Sequence, residues 1–130
     1  MMFSTTTNFE ELTSAFYRDV DAGADDVFDR MLASTASFAF NDFPPVSTPA
    51  GIAEMVKGWK SGFRSVEHRL DNILVDGDKR TTVSEVTVVY TFHDGTRLET
   101  KGCSISEYAN DGLMVSWRVY VDTSKSSPAA

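Results

Sequence analysis

Residues 81–121 read TTVSEVTVVYTFHDGTRLETKGCSISEYANDGLMVSWRVYV, and most of the predicted architecture follows from this stretch. Three of its segments, 81–92, 97–108 and 113–121, are rich in β-branched and aromatic residues, as strands are. The joints between them, HDGT and NDG, are short and carry glycine, as tight hairpins do. A fourth such segment, 66–75, precedes them across the joint VDGD. The four segments therefore predict an antiparallel meander.

Three helical segments precede the meander. Residues 8–23, NFEELTSAFYRDVDAG, begin with Asn8 as the N-cap, keep apolar residues at helical spacing and end at a glycine. Shorter segments of the same kind at 24–34 and 51–63 predict a second and a third helix. Between them, residues 37–49 begin as a strand and are then broken by prolines, which cannot donate to a sheet. Helices followed by a meander predict an α+β fold, in which three N-terminal helices cover one face of a curved, mostly antiparallel sheet.

The length and charge of the chain limit what it can be. Its 130 residues predict one domain, which we place at 8–123 between flexible tails at 1–7 and 124–130. A net charge of -7 disfavours binding to nucleic acid or to an anionic membrane surface. One cysteine and two histidines form no metal-binding pattern, so we expect neither a metal nor a cofactor. The sequence shows no signal peptide and no membrane span, which predicts a cytoplasmic protein.

The direction of His68 decides whether an ionisable ring reaches the interior. In the segment SVEHRLDN around it, strand alternation places His68 on the same side as Val66 and Leu70 and places the ionic neighbours on the other side. His68 is therefore predicted to turn toward the helices. A bulge further along would reverse the register, and the apolar pair Ile73 and Val75 indicates one.

The second and last strands of the meander divide in the same way. One side of the second strand is the more apolar and consists of Val86, Val88, Tyr90 and Phe92. Periodicity alone would bury that side in the core. One side of the last strand is predicted to face the helices, and it consists of Leu113, Val115, Trp117, Val119 and Val121.

Four strings of the sequence carry a family resemblance: DAGADD at the end of the first helix, FAFNDFPP, the hairpin YTFHDGTR, and DGLMVSWRVYVD. With them the chain resembles the SnoaL-like branch of the nuclear transport factor 2-like superfamily, over about residues 9 to 122. The resemblance implies a cone-shaped α+β barrel, the fold of ketosteroid isomerase, limonene epoxide hydrolase and scytalone dehydratase. It also implies a ligand pocket between the helices and the concave face of the sheet. Since this cone hosts many functions, no single reaction follows from it.

When the HDG turn is aligned with the corresponding turn of such relatives, the resemblance implies that Glu85, Thr87 and Val89 of the second strand face the pocket. The resemblance then implies the following ligand-binding residues: Phe38, Phe40, Trp59, Thr87, Val89, Ser104, Trp117 and Val119. It places the apolar side of the second strand on the convex face, where that side would need cover. This implies a homodimer through the convex face, and the pocket implies a small hydrophobic molecule as the ligand.

The catalytic residues of two of these relatives are not matched. At the positions where ketosteroid isomerase has its catalytic residues, this sequence has Phe16, Phe40 and Ser104. At the positions where limonene epoxide hydrolase has its catalytic residues, this sequence has Val119, Glu85 and Thr87. The resemblance therefore implies neither of these two mechanisms.

Scytalone dehydratase and related dehydratases are matched better. His68 falls on their strand histidine, Asp21 falls on the aspartate near the end of the first helix, and Tyr17 lies one turn before it. The second catalytic histidine of scytalone dehydratase has no match, since His93 lies in a hairpin turn. The match implies a dehydratase-like set of residues without that enzyme's full mechanism.

These matches lead to the hypothesis of a small cofactor-independent lyase or isomerase, dehydratase- or cyclase-like, acting on an apolar, cyclic, carbonyl-bearing molecule by general acid/base catalysis. His68 would be the base and Asp21 its orienting partner, while Glu85 and Tyr17 would stabilise a developing oxyanion. Three of these residues also have a non-catalytic interpretation. His68 could be a hydrogen-bonded histidine at the cavity edge, Asp21 a turn residue, and Glu85 a solvated glutamate. The alternative function is a non-catalytic dimeric module that binds a small ligand or a protein.

Overall fold

The computed structural model describes residues 8–24 and 26–124, and its secondary structure confirms the predicted α+β class. In chain order the elements are α1 (Phe9–Asp21), α2 (Val27–Met31), β1 (Leu32–Phe40), β2 (Val46–Ser47), α3 (Pro49–Lys60), β3 (Ser65–Asp76), β4 (Thr81–Thr91), β5 (Arg97–Tyr108) and β6 (Met114–Val121). The tails predicted to be flexible lie outside the described residues, apart from Ser124. The predicted domain boundaries therefore stay a prediction.

The helices differ from the predicted ones at their ends. α1 begins after Asn8, whose side chain accepts a backbone N–H of the first turn at 2.9 Å, as an N-cap does. α3 begins at Pro49, before the predicted start, because proline fits the first helical turn and Thr48 caps it. α2 is shorter than predicted and ends at Met31, since Leu32 already begins β1.

The six strands form one sheet in the order β2-β1-β6-β5-β4-β3. The predicted meander is confirmed, because β3, β4, β5 and β6 pair antiparallel in succession. β1 joins this meander in parallel beside β6, and β2 pairs with the far side of β1. The sheet is not closed into a barrel, and β3 is left at one edge. With α1 on β3 and β4, and α3 on β1 and β2, the fold is an open cone.

The register of β4 contradicts the one that the resemblance implied. Val86, Val88 and Tyr90 face the helices and are buried, whereas Glu85 is exposed on the outer face. Val88 pairs with His68, so the apolar side of β4 lies on the same face of the sheet as the imidazole. The alternation of apolar residues alone thus predicted the correct side. The homodimer stays a prediction, but the apolar residues on which it was based are interior.

A β-bulge interrupts β3, as the sequence indicated. Pairing with β4 is regular up to Leu70 and resumes at Asn72, so Asp71 is the extra residue. Beyond the bulge, Ile73 and Val75 come to the inner face of the sheet. The bulge lies after His68 and leaves its predicted inward direction unchanged.

A second bulge lies at the start of β6. Ser116 pairs with Glu107 and Met114 pairs with Tyr108, which leaves Val115 without a partner position on β5. Met114 is the residue that points inward there, with 1% exposure. The prediction that Leu113 and Val115 face the helices is therefore wrong, while the prediction for the rest of this strand is confirmed.

Two buried clusters make up the core, and the cavity described below lies where they meet. The larger cluster surrounds Phe16 and Trp117 and joins α1, α2, β1 and β6, while the smaller one surrounds Tyr90. The half-buried side chains of Phe40 and Val119 pack against both clusters. Within the described ranges, no helix has the length and apolar character needed to cross a membrane.

Candidate active site

His68 and Asp21 form a two-point hydrogen-bonded pair where α1 meets β3. One oxygen of the Asp21 carboxylate lies 2.6 Å from His68 Nδ1, and the other accepts the His68 backbone N–H at 2.6 Å. Because β3 is an edge strand, this N–H points away from β4 and has no neighbouring strand to bind. Asp21, the last residue of α1, supplies the acceptor. One carboxylate therefore fixes both the strand edge and the ring.

This contact determines which nitrogen of the ring is free for chemistry. A carboxylate acceptor requires that Nδ1 carry the hydrogen, so the neutral imidazole has its lone pair on Nε2. Nε2 points away from Asp21. The side chains of His68 and Asp21 are 12% and 17% exposed, so little water surrounds the pair. The arrangement can accept a proton at Nε2 and give it back.

Tyr17 packs against the imidazole from the preceding turn of α1. The two ring centroids are 4.9 Å apart, and the Tyr17 hydroxyl accepts a hydrogen bond from Trp117 Nε1 at 2.9 Å. Burial raises the pKa of Tyr17 to about 12, so the phenol stays protonated at neutral pH. Tyr17 supports the ring and does not line the cavity. Its role as an oxyanion donor stays a prediction.

An apolar cavity of about 220 Å³ lies between α3 and the concave face of the sheet, and His68 forms part of its wall. The wall consists of Val20, Phe38, Phe40, Phe43, Met55, Val56, Trp59, His68, Val88, Tyr90, Trp117, Val119 and Val121. Of these residues only His68 carries an imidazole, and the described Lys, Arg, Asp and Glu side chains do not line the cavity. A dry cavity of roughly 150 Å³ holds benzene, so this one suits a molecule somewhat larger than one ring.

Six of the lining side chains are aromatic, and their rings point in different directions. The centroids of Phe38 and Trp117 are 4.2 Å apart. Phe40 is inclined by 27° to Phe43 and by 51° to Trp59. Trp59 in turn is inclined by 85° to Tyr90. Aromatic rings therefore surround the cavity on several sides.

Phe43 and Asn41 shape the mouth of the cavity. Phe43 is 59% exposed and also lines the cavity, so the cavity opens beside it. The side-chain amide of Asn41 donates to the Val121 carbonyl at 2.8 Å and accepts the Val121 N–H at 2.9 Å. Asn41 adopts a φ of 49°, which asparagine tolerates better than most residues. These bonds hold the segment after β1 against β6.

Five of the eight predicted ligand-binding residues line the cavity: Phe38, Phe40, Trp59, Trp117 and Val119. Ser104 is on the inner face as predicted, but it is buried beneath α1 and does not line the cavity. Besides His68, the lining residues outside the predicted ligand-binding set are Val20, Phe43, Met55, Val56, Val88, Tyr90 and Val121. For all of them except Phe43, the signal was present in the apolar faces of α1 and α3 and in the apolar sides of β4 and β6.

Glu85, Thr87 and Val89 project from the outer face of the sheet, so the prediction that they face the pocket is wrong. Glu85 is exposed and accepts a hydrogen bond from Asn72 Nδ2 at 3.1 Å. Thr87 donates to the Asp71 carboxylate at 2.5 Å on the same face. A register error of one residue exchanges the two faces of a strand, which accounts for all three errors. The alternative of a solvated glutamate describes Glu85 correctly.

A polar depression lies on the other side of the His68–Asp21 pair. It is bordered by Ser14, Arg18 and Glu67 together with the pair itself. His68 lines both this depression and the cavity, so the pair stands between bulk water and the apolar interior. Neither here nor elsewhere in the described ranges do three His, Cys, Asp or Glu side chains lie close enough to hold a metal ion.

A family model described as a SnoaL-like domain matches residues 13–117. No curated protein matches the chain. The match extends from α1 to Trp117 in β6 and includes all the residues of the cavity wall except Val119 and Val121.

Solved structures of low identity have the same fold. A nuclear transport factor 2-like protein of unknown function from Burkholderia pseudomallei K96243 has a TM-score of 0.81 and 13% identity, covering 93% of this chain and 95% of that one. An LEH-like epoxide hydrolase from M. tuberculosis has a TM-score of 0.74 and 19% identity, covering 88% and 83%. The epoxide hydrolase/cyclase-like enzyme SalBIII, which has a role in pyran ring formation in polyether salinomycin, has a TM-score of 0.77 and 15% identity, covering 88% and 90%.

Proposed function

The chain belongs to the SnoaL-like family, as the resemblance implied, and we propose that it is a small lyase or isomerase that works by general acid/base catalysis without a cofactor. The observation that carries the proposal is the His68–Asp21 pair, which presents one imidazole to an otherwise apolar cavity. The fold alone does not choose the reaction, since related cones perform different chemistry.

His68 is the proposed base. With Nδ1–H bound to Asp21, Nε2 is free to remove a proton from a substrate carbon, and the carboxylate stabilises the imidazolium that forms. The protonated ring then gives its proton to a leaving oxygen or to another carbon. Either step completes an elimination or a double-bond shift without a co-reactant. A positioned acid/base group of this kind accelerates a reaction by roughly 10²–10⁴-fold.

The cavity supports an apolar substrate of about one or two rings, because a dry cavity of roughly 150 Å³ already holds benzene. A carbonyl group on this substrate stays part of the proposal, but neither predicted oxyanion donor lines the cavity. Glu85 is on the outer face, and the Tyr17 hydroxyl is bound by Trp117. Besides His68, the lining residues that carry an N–H or O–H group are Trp59, Tyr90 and Trp117.

A non-catalytic dimeric binding module is the second candidate. It is favoured by the scarcity of polar groups in the wall, because a single imidazole is enough to orient a ligand without performing chemistry. The two candidates differ in whether a suitable C–H acid reacts in the cavity.

The test uses nitrobenzisoxazole, a neutral bicyclic compound that needs only a base. Removal of its acidic ring proton turns the C–H electrons into a nitrile bond, breaks the N–O bond and releases a coloured nitrophenolate. We expect the protein to accelerate this ring opening, and we expect His68→Gln to lower the rate at least about 100-fold. The matched control is His93→Gln, which changes an exposed histidine in the β4–β5 turn and should leave the rate unchanged.

Two results would decide against catalysis by His68. One is a rate no higher than that of an equal concentration of free imidazole, and the other is an unchanged rate in His68→Gln. Binding without ring opening, seen in the fluorescence of Trp59 and Trp117, would support the binding module, since the only two tryptophans of the chain both line the cavity.

A further inference from the structure

The proposed base needs a separate hydrogen-bond donor in the cavity. When a base removes a proton next to a carbonyl group, negative charge develops on the carbonyl oxygen, and an N–H or O–H group aimed at this oxygen stabilises it. His68 cannot be that donor while it acts as the base, because its Nδ1–H is bound to Asp21 and the neutral Nε2 has only a lone pair. The donor would therefore have to come from another residue of the wall.

Two of the three other N–H and O–H groups of the wall are already bound or buried. Trp117 gives its indole N–H to the Tyr17 hydroxyl at 2.9 Å. The phenol oxygen of Tyr90 is buried. Trp59 differs from both: among the described residues no group accepts its indole N–H, and this nitrogen is not one of the buried polar atoms. The N–H of Trp59 is therefore left to bind a small molecule.

Aromatic rings on several sides hold the indole of Trp59. It lies in the last turn of α3, one turn after Val56, and both residues line the cavity. Its ring centroid is 5.9 Å from that of Phe40, 5.9 Å from that of Phe63 and 6.0 Å from that of Tyr90. A donor that is held in place among apolar groups binds an oxygen more strongly than a donor surrounded by water.

The indole and the imidazole lie at different points along β4. His68 is paired with Val88, whereas Trp59 packs edge-on against Tyr90, two residues further along the strand. Two residues of a strand span about 7 Å. A molecule of one ring can therefore reach both groups, with one side at the base and the other at the donor.

We propose that Trp59 recognises the substrate through a hydrogen bond from its indole N–H to a carbonyl oxygen, and that the substrate is an apolar ketone with its acidic C–H toward His68. This inference rests on the proposed function and adds the donor that it lacked. When Nε2 takes the proton, the C–H electron pair moves onto the carbonyl oxygen, and Trp59 then binds an enolate oxygen. Return of the proton from Nε2 to carbon restores the ketone.

The test compares two ligands of the same shape, only one of which has an acceptor. Acetophenone has a carbonyl oxygen where α-methylstyrene has a CH₂ group, and titration calorimetry gives the affinity of each. Trp59→Phe keeps an aromatic ring in the wall and removes the N–H. We expect it to weaken acetophenone binding about three- to tenfold more than α-methylstyrene binding, the usual contribution of one hydrogen bond. Retained α-methylstyrene binding would show that the cavity is intact.

Two further variants separate Trp59 from the other donors of the wall. Trp117→Phe removes an N–H that is already bound to Tyr17, so the ratio of the two affinities should stay as in the wild type, even if both affinities fall. Tyr90→Phe should also leave this ratio unchanged, because the phenol oxygen is buried.

NMR observes the hydrogen bond directly, since the chain has two tryptophans and hence two indole N–H signals. The signal that disappears in Trp59→Phe belongs to Trp59. We expect it to lie further downfield with acetophenone than with α-methylstyrene, because both ligands carry the same ring and only one accepts a hydrogen bond. The Trp117 signal should not distinguish the two ligands.

An unchanged affinity ratio in Trp59→Phe would overturn the proposal. So would a changed ratio in Tyr90→Phe alone, or a wild-type protein that does not bind acetophenone. These measurements need no turnover, so they are independent of the ring-opening test of His68. Failure of ring opening together with the expected ratio would remove the proposed function and leave a ketone-binding cavity. The reverse pattern would keep His68 as the base and remove Trp59 as the donor.

Discussion

Asp21 satisfies two donors with one carboxylate, the ring Nδ1–H and the backbone N–H of His68. Asparagine has the same shape, but its one carbonyl oxygen serves a single donor and its NH₂ then faces the other. We expect Asp21→Asn to slow the ring opening of nitrobenzisoxazole about 100-fold and to lower the free energy of unfolding by about 1–2 kcal/mol, measured by kinetics and urea unfolding. Asp19→Asn is the control, since it breaks only a surface pair with Arg30 and should change both quantities little. Similar losses in the two variants would contradict the assigned role.

At the level of the elements, β5 and α3 each carry a glycine that we expect to respond differently to an added methyl group. On β5, the Cβ of Gly102→Ala would lie 3.0 Å from the Tyr120 carbonyl oxygen and 3.1 Å from Val121 Cβ. We expect a loss of about 1–3 kcal/mol in the free energy of unfolding. In the exposed part of α3, Gly58→Ala would meet no atom within 4 Å and should stabilise by about 0.5–1 kcal/mol. Urea unfolding of both variants measures the contrast, and shifts of the same sign would contradict it.

The strands also show how much of the fold could be predicted from the sequence. The buried side of β4 was predictable, because apolar residues such as Val88 and Tyr90 alternate along it. The alignment of β4 with the strands of relatives was not predictable. A shift of one residue changes no local property of the sequence, and yet it exchanges the two faces of the strand. The contact of Asp21 with His68 joins positions 47 residues apart, and only the resemblance indicated it. The parallel pairing of β1 with β6 is likewise a long-range contact that hairpin joints do not report.

For the whole molecule, two buried tyrosines predict how stability changes in alkali. Burial raises the pKa of Tyr17 and of Tyr108 from 10.0 to about 12. A pKa that is higher in the folded state contributes stability that is complete below pH 10 and is lost as the pH rises from about 10 to about 12. We expect a loss of about 2–3 kcal/mol per tyrosine over that range. Urea unfolding on both sides of pH 10 measures this slope.

Tyr108→Phe tests the origin of that slope. The variant loses the hydrogen bond between the phenol and Thr13, at 2.6 Å, so its stability at neutral pH should fall as well. The quantity to compare is therefore the change with pH, which should be smaller than in the wild type. Tyr120→Phe, on the exposed outer face, should leave the slope as it is. An identical slope in all three proteins would mean that the buried phenols do not govern alkaline unfolding.

The carboxylate of Asp21 also stands where another molecule would attach to the sheet. An uncovered outer strand is a template on which a strand of a second chain can add, and such additions lead to aggregates. At His68 the N–H that an incoming strand would use is already taken, and a negative charge blocks the approach. Solubility and catalysis would therefore depend on one side chain, so a variant that lost it would be prone to precipitate as well as to lose activity.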